Sequence, residues 1–385
     1  YIRELSEATT LETLCLNADC IFGFIKLLES YYLIMVTKKK KVASLHGHSI
    51  YTIAETQTIP INYKLKSSVE ESKYRSILQY TDLTKNFYFS FTYDITNTMQ
   101  NNFVQYEHHL RQDDGSTWHT SASDEDGRVV TKVLRDMFVW NTYALKPLLS
   151  DKSVMESANI PWVVPIIHGF VKQRTFRLNS GILMKYTLIA RRSRMFAGTR
   201  YLRRGINIDG YVANEVESES IFTRETTAHG LSPRSSALVQ IRGSIPLMWG
   251  NTSFTSMKPD IRIEDSADPQ RTATRAHIRH LAERYGGLIT FLSLIRQKES
   301  KPKEQLVAKD LINAMDFISE RAPTSLIQDA IPLDKSYSKL RFKTNIGNGQ
   351  LIPVDVCSYD FLNADHDTLF SDIEIIQEPA FHSSG

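Results

Sequence analysis

The chain has 385 residues, 42% of them apolar and 23% charged, and its formal net charge is only +3. This is an ordinary globular balance, which argues against a chain that is basic throughout. The length allows two or three domains, each with its own core. The longest apolar neighbourhood, residues 160–171, contains two prolines and a histidine, so it is too short and too broken to span a bilayer.

The three cysteines, Cys15, Cys20 and Cys357, form an odd and sparse set. Such a set fits a reducing compartment and argues against a disulfide scaffold. No Cys or His pair follows Cys15 and Cys20 at zinc-finger spacing. We therefore predict buried thiols, no metal site and no cofactor in a soluble or membrane-peripheral protein.

Strand patterns dominate residues 21–61, which alternate or run apolar between turn-like breaks. The run Lys38–Lys41 predicts a hairpin tip, which is either a solvated turn or a contact with anionic lipid headgroups. Residues 69–81 predict a helix. The aromatic strand predicted at residues 87–93 leads into Asp94, a predicted helix N-cap.

Further along the chain, helical and strand patterns alternate. A polar, acidic surface loop is predicted at residues 112–127. Apolar residues recur at helical spacing in residues 133–149 and 304–320, and residues 273–285 predict a helix rich in His and Arg. Strand patterns occur in residues 162–170, 185–190, 237–249, 288–295 and 351–361. The run at 288–295 has the length of a fully buried, parallel-type strand, and strand followed by helix indicates α/β structure.

Positive charge is concentrated in one stretch, residues 185–205, which contains no Asp or Glu. Its cations are Lys185, Arg191, Arg192, Arg194, Arg200, Arg203 and Arg204. An arginine presents a planar fork of donors that matches phosphate oxygens in pairs. Gly198 and Gly205 permit a close backbone approach to a ligand. A polyanionic, phosphorylated ligand is the first hypothesis.

Two alternatives without a bound ligand remain open for this stretch. It is either a solvated basic face, or its arginines form salt bridges with the acidic run Glu215, Glu217 and Glu219. Nucleic-acid binding is a weaker hypothesis, because no basic stripe extends beyond the cluster and the aromatic residues lie in predicted core strands.

Four strings, taken in order, resemble the Sac-domain phosphoinositide phosphatases. They are WNTYALKPLL at 140–149, RRSRMFAGTRYLRRG and VANEVESE between 191 and 219, VQIRGSIPLMW at 239–249, and SYDF at 358–361. FYFSFTYDIT at 87–96 is also similar to the N-terminal region of the family. Within the family, AGTRYLRRG with VANEVE looks most like the polyphosphoinositide phosphatase branch.

The resemblance implies an α+β fold, with an N-terminal β-rich subdomain at residues 1–160 and an α/β Sac catalytic subdomain at residues 161–385. It implies hydrolysis of the 5-phosphate of phosphatidylinositol 3,5-bisphosphate by a cytoplasmic protein, peripheral on endosomal or vacuolar membranes. The implied partners are the lipid headgroup, the membrane surface, a scaffold protein and a phosphatidylinositol 3-phosphate 5-kinase, and no nucleic acid.

Candidate site residues follow from the same resemblance. Those that would contact the headgroup are Arg191, Arg192, Arg194, Arg200, Arg203, Arg204 and Arg242. Asn214 and Glu217 would orient arginine side chains from behind.

The nucleophile of the family is a Cys followed, after five residues, by Arg, and this signature is absent. The sixth residue after Cys15, Cys20 and Cys357 is Ile21, Lys26 and Asn363, respectively. AFHSSG at 380–385 resembles the segment that leads into the nucleophile loop of the family. We therefore expect this chain to be a Sac domain truncated just before that loop. We also expect it to lack phosphatase activity alone. The alternative is an inactive Sac-like module that binds phosphoinositides or assembles a complex.

Overall fold

The computed structural model describes residues 17–61, 68–109, 122–123, 129–130, 134–149, 162–198, 203–224, 234–251, 260–286, 289–295, 304–319, 337–346 and 351–359. Its largest element is an eight-stranded sheet in the order β1-β2-β3-β4-β7-β8-β9-β10. These strands are β1 (Cys20–Lys26), β2 (Tyr31–Leu45), β3 (His48–Pro60), β4 (Phe87–Phe89), β7 (Ile166–Arg177), β8 (Leu183–Arg192), β9 (Val216–Arg224) and β10 (Arg234–Arg242). Neighbours from β1 to β9 pair antiparallel. A separate ribbon pairs β5 (Ala122–Ser123) with β6 (Val129–Val130).

The chain divides into two compact units. The first unit comprises Tyr1–Arg194 and Val216–Ile241, and the second comprises Met195–Glu215 and Arg242–Gly385. This division differs from the predicted boundary at residue 160. Strand β4 pairs with β7 through Phe87 and His168, so β7 to β9 extend the sheet that β1 to β4 begin. The long-range pairing of strands, rather than the break in local periodicity, sets the limits of the first unit.

The core of the first unit follows the two-residue period of its strands. Ile167, Ile189 and Ile221 on β7, β8 and β9 are completely buried in one apolar cluster. Helix α3 (Thr142–Leu149) lies against β1, where Gly23 leaves no room for a side chain: an added Cβ would lie 2.4 Å from the Cβ of Ala144. Helix α3 is shorter than the helix predicted at 133–149, and a 3₁₀ turn at Asp136–Phe138 precedes it.

Helix α1 (Val69–Tyr80) begins at a Ser68 cap, whose hydroxyl accepts a hydrogen bond from the Glu71 N–H. The Glu71 carboxylate instead accepts hydrogen bonds from the N–H groups of Leu28 and Glu29 and from the Tyr32 hydroxyl. Burial opposes ionisation of Glu71, but these hydrogen bonds prevail and lower its pKa. The carboxylate therefore ties α1 to the turn between β1 and β2.

Two local predictions are wrong. Lys38–Lys41 lie inside β2, not at a hairpin tip, and the turn falls at His46 and Gly47, which have positive φ values of 48° and 89°. Asp94 does not cap a helix, because α2 (Met99–His109) begins five residues later. Its carboxylate accepts hydrogen bonds from the backbone and hydroxyl of Thr96 instead.

The aromatic strand predicted at 87–93 is shorter than expected, since β4 spans only Phe87–Phe89. Most of the predicted loop at 112–127 lies outside the described residues.

The second unit combines helices with a small mixed sheet. Strand β13 (Ile289–Ser293) runs parallel to β15 (Leu351–Tyr359), and β14 (Tyr337–Asn345) pairs antiparallel on the other side of β15. The sheet order is therefore β13-β15-β14. The parallel pair confirms the prediction for 288–295, although Leu292 is 45% exposed and the strand is not fully buried.

Helices α4 (Thr272–Tyr285) and α5 (Glu304–Ile318) pack with this sheet around one core that includes Ile278, Leu311 and Val354. The helix predicted at 304–320 is confirmed, but Leu306 faces solvent instead of the core. Strands β11 (Trp249–Asn251) and β12 (Ile261–Ile263) form a two-stranded sheet. Among the described residues, no helix is both long enough and apolar enough to cross a membrane.

Candidate functional site

The arginine-rich stretch is divided between the two units. Arg191, Arg192 and Arg194 belong to the first unit, whereas Arg203 and Arg204 belong to the second. Arg200 lies outside the described residues. Proximity in sequence therefore does not make these arginines one cluster, and each group has to be considered in its own surroundings.

Arg191 lies on the inward face of β8 and is completely buried. Its Nε donates to the Ile95 carbonyl oxygen at 2.6 Å, and its Nη2 to the Asn97 carbonyl oxygen at 2.6 Å. Ion pairs join Nη1 to Glu217 at 3.0 Å and Nη2 to Glu219 at 2.6 Å. Burial disfavours the charged guanidinium, but the two carboxylates prevail and hold the pKa of Arg191 above its ordinary value.

These contacts exclude Arg191 from a headgroup site in this structure. The side chain has no exposed surface, and it links two strands to the loop before α2. The salt-bridge alternative therefore describes this arginine. Glu217 also pairs with Arg135 at 2.8 Å, so the arginines it orients are Arg191 and Arg135. Glu219 additionally accepts the Met99 N–H at 2.6 Å, at the start of α2.

Arg192 and Arg194 contact the segment before α3. The Arg192 guanidinium lies over the Trp140 ring, 5.7 Å from its centroid, and the indole N–H donates to the Arg192 carbonyl oxygen at 2.7 Å. Arg194 forms a salt bridge with Asp136 and also donates from Nε to the Asp136 carbonyl oxygen at 3.0 Å. Burial opposes ionisation of Asp136, but the hydrogen bond and charge of Arg194 lower its pKa. Both arginines thus have structural partners within the first unit.

In the second unit, two distant segments meet at Gly205 and Ser244. The Gly205 N–H donates to the Ser244 hydroxyl at 2.8 Å, and the Ser244 N–H donates to the Ala213 carbonyl oxygen at 2.9 Å. Gly205 has a φ of +67°, and an added Cβ would lie 2.4 Å from the Leu247 carbonyl oxygen. Only glycine fits this close approach of two backbones.

This junction places three arginines on adjoining loops. Arg203 and Arg204 immediately precede Gly205, and Arg242 ends β10 two residues before Ser244. Arg203 and Arg242 are exposed, and Arg204 is half-buried. We call Arg203, Arg204, Arg242 and the backbone at Gly205 and Ser244 the arginine loops.

Aromatic rings and an amide support the arginine loops. The Arg203 guanidinium lies 5.1 Å from the centroid of the Phe196 ring, and that of Arg204 lies 5.8 Å from the centroid of the Trp249 ring. Asn214, which has a positive φ of 57°, donates from Nδ2 to the Arg203 carbonyl oxygen at 3.2 Å. Asn214 therefore contacts the backbone of Arg203. Its predicted role in orienting an arginine side chain stays a prediction.

Glu215, the first member of the acidic run, is buried and pairs with Arg284 of α4 at 2.8 Å. Sequence reasoning missed Arg284, Arg135 and Ser244 as partners. Two features of the sequence could have indicated Arg284 and Ser244. They are the basic character of the helix at 273–285 and the Ser of the RGS turn, whose hydroxyl can bridge two backbone segments.

The described cysteines are poor nucleophiles. Cys20 and Cys357 are buried, as predicted, while Cys15 lies outside the described residues. Burial, reinforced by the negative charge of Asp19, raises the pKa of Cys20 to about 12, so the group stays a thiol at neutral pH. In the part of the chain that the structure describes, no group of three or more His, Cys, Asp and Glu residues is placed to hold a metal ion.

Comparison with known proteins gives a consistent picture. The family model described as the SacI homology domain matches residues 19–344. The chain is 36% identical over 331 residues to phosphoinositide phosphatase SAC3 of Arabidopsis thaliana, covering 84% of this chain and 37% of that protein. It is 36% identical over 332 residues to the polyphosphoinositide phosphatase of Schizosaccharomyces pombe, covering 83% and 36%.

A third relative is phosphatidylinositol-3-phosphatase SAC1 of Arabidopsis thaliana, 36% identical over 305 residues, with 78% of this chain and 30% of that protein covered. The chain therefore spans between 30% and 37% of the length of these three relatives.

Proposed function

Because this chain belongs to the family of Sac-domain phosphoinositide phosphatases, we propose that its arginine loops bind the phosphorylated headgroup of a phosphoinositide. The observation that carries this proposal is the hydrogen bond between the Gly205 N–H and the Ser244 hydroxyl, 2.8 Å long. It joins the segment that bears Arg203 and Arg204 to the segment that bears Arg242.

A headgroup with two phosphate monoesters needs several cations that converge on it. Arginine suits this task because its planar fork binds two phosphate oxygens at once. Arg203 and Arg242 are exposed, and aromatic rings beside Arg203 and Arg204 limit the freedom of their side chains. Arg200, three residues before Arg203, remains a predicted fourth contact. Arg192 and Arg194 contact Trp140 and Asp136, and we leave them out of the proposed site.

The finer assignment is hydrolysis of the 5-phosphate of phosphatidylinositol 3,5-bisphosphate on endosomal or vacuolar membranes. Its support is the resemblance of AGTRYLRRG and VANEVE to the polyphosphoinositide phosphatase branch, together with the 36% identity to the protein of that name from Schizosaccharomyces pombe. Work in a complex with a scaffold protein and a lipid kinase belongs to the same proposal.

A second candidate is an inactive module that binds phosphoinositides or assembles a complex. The observation that favours it concerns the cysteines. None of the three is followed by Arg at the sixth position, and Cys20 and Cys357 are buried. We propose that this chain alone releases no phosphate. An assay of inorganic phosphate with phosphatidylinositol 3,5-bisphosphate would refute this if it showed turnover above that of heat-denatured protein.

Binding can be tested with sedimented vesicles that carry phosphatidylinositol 3,5-bisphosphate or, at equal surface charge, phosphatidylserine. We expect Arg203→Glu/Arg204→Glu to weaken binding to the phosphoinositide vesicles by about a hundredfold, because two charge-assisted contacts are lost. The matched control is Lys40→Glu/Lys41→Glu, which changes the charge equally at exposed positions on β2. Equal losses of vesicle binding in both variants would mean that binding depends only on net charge, and would contradict the proposed site.

A further inference from the structure

The outward face of β7, β8 and β9 has an unusual composition. The pairing register places residues of the three strands in four rows: Phe170, Ala190 and Ser218; Lys172, Leu188 and Ser220; Arg174, Tyr186 and Phe222; Phe176, Met184 and Arg224. These residues alternate with the inward positions that form the core, such as Ile189 and Ile221. We call these twelve residues the outer face.

Large apolar and aromatic side chains occupy half of the outer face. Phe170, Phe176 and Phe222 are 41%, 39% and 40% exposed, respectively. The Phe222 ring packs on Tyr186 with centroids 4.9 Å apart, and the Tyr186 hydroxyl is 3.1 Å from that of Ser220. Three phenylalanines exposed on one sheet face form an apolar patch of the kind that marks an interaction surface.

The charges of the outer face all have one sign. Its cations are Lys172, Arg174 and Arg224, and none of its twelve residues is Asp or Glu. By contrast, the inward face of the same strands holds Glu217 and Glu219, which are buried with Arg191. A partner of this surface must therefore accept aromatic rings and carry negative charge.

We propose that the outer face docks on an anionic lipid bilayer. A bilayer interface offers both properties, because aromatic rings partition to the headgroup level and cations are attracted to an anionic leaflet. The long stems of Lys172 and Arg174 allow their charges to reach the headgroups while the phenylalanines enter the interface. An acidic protein is the competing partner, and the test separates the two.

The proposal does not rest on the headgroup site, and its test uses vesicles without phosphoinositide. The whole 385-residue chain is sedimented with vesicles of phosphatidylcholine, with or without phosphatidylserine. We expect binding only with phosphatidylserine. Phe170→Ser/Phe222→Ser should weaken it about tenfold or more because interfacial apolar contacts are lost, and Lys172→Glu/Arg174→Glu should do the same through charge.

Two controls keep the outcomes distinct. Lys40→Glu/Lys41→Glu, with the same change in charge on β2, should bind as the wild type does. Circular dichroism checks that each variant is folded. Absence of binding by the wild type, or equal weakening in Lys40→Glu/Lys41→Glu, would overturn the outer face as a membrane surface while leaving the headgroup proposal intact.

Discussion

Nη2 of Arg191 and Oε2 of Glu219 lie 2.6 Å apart, and neither side chain has any exposed surface. Removal of one member of a buried ion pair leaves the other charged and unsolvated, which typically costs about 3–5 kcal/mol. We expect Arg191→Met to lower the free energy of unfolding by about 3 kcal/mol or more, measured by urea titration. Arg192→Met, the next residue on the opposite face of β8, is the control and should cost far less; a similar loss in both would contradict the role of the pair.

The buried His277 of α4 predicts acid sensitivity of the second unit. Its Nδ1 lies 3.0 Å from the Gly210 carbonyl oxygen, so the neutral ring carries its proton on Nδ1. Burial, with the nearby charges of Arg284 and His280, lowers its pKa from 6.5 to about 3. Between these two values the unfolded chain binds the extra proton and the folded chain does not. Stability is thus full above about pH 6.5 and falls as the pH drops, by at most about 1.4 kcal/mol per unit.

Urea titrations at several pH values test this expectation. His277→Asn keeps a donor near the Gly210 carbonyl oxygen but cannot titrate. The variant should lose less stability than the wild type between about pH 7 and pH 5, whatever its stability at neutral pH. Parallel pH profiles of the two proteins would show that His277 is not the responsible group.

Gly205→Ala tests whether the arginine loops depend on their backbone junction. The added Cβ would lie 2.4 Å from the Leu247 carbonyl oxygen, at a φ of +67°. We expect a loss of phosphoinositide binding of about tenfold or more, because the loops must move apart. Gly181→Ala provides a matched control, since its φ is +81° but nothing lies within 4 Å of the new Cβ. It should show only the strain of the left-handed region, about 1 kcal/mol, and bind normally.

Cys20 should resist alkylation in the native protein. Its thiol is buried, and its pKa of about 12 leaves almost no thiolate at neutral pH. Iodoacetamide treatment followed by peptide mass spectrometry should label Cys20 at least about a hundredfold more slowly in buffer than in urea. Labelling at similar rates under both conditions would contradict the buried state of this thiol.

Local periodicity predicted the elements whose pattern is contained within one segment. Helix α5 and strand β13 agree with the sequence because an amphipathic stripe and a short apolar run specify them locally. The domain boundary required knowledge of the pairing between β4 and β7, whose residues Phe87 and His168 are far apart in sequence. No local pattern encodes such a pairing.

The arginines show the same limit at the level of the site. Arg191 and Arg203 look equivalent in composition, yet one is buried and the other is exposed. A usable signal was present in the partner strand, where Glu217 and Glu219 alternate with outward serines. Two carboxylates on the buried face of a strand require a cation opposite them, and Arg191 is at the matching position on β8.

The chain leaves the first unit after Arg194 and returns to it at Val216. A ribosome therefore releases β8 before β9, and for a time β8 is an open sheet edge that bears Arg191. A charge on the inward face of an edge strand discourages pairing with foreign strands. We therefore expect Arg191 to disfavour pairing of this edge with other strands until β9 is synthesised, after which the same charge pairs with Glu217 and Glu219 and links β9 to β8.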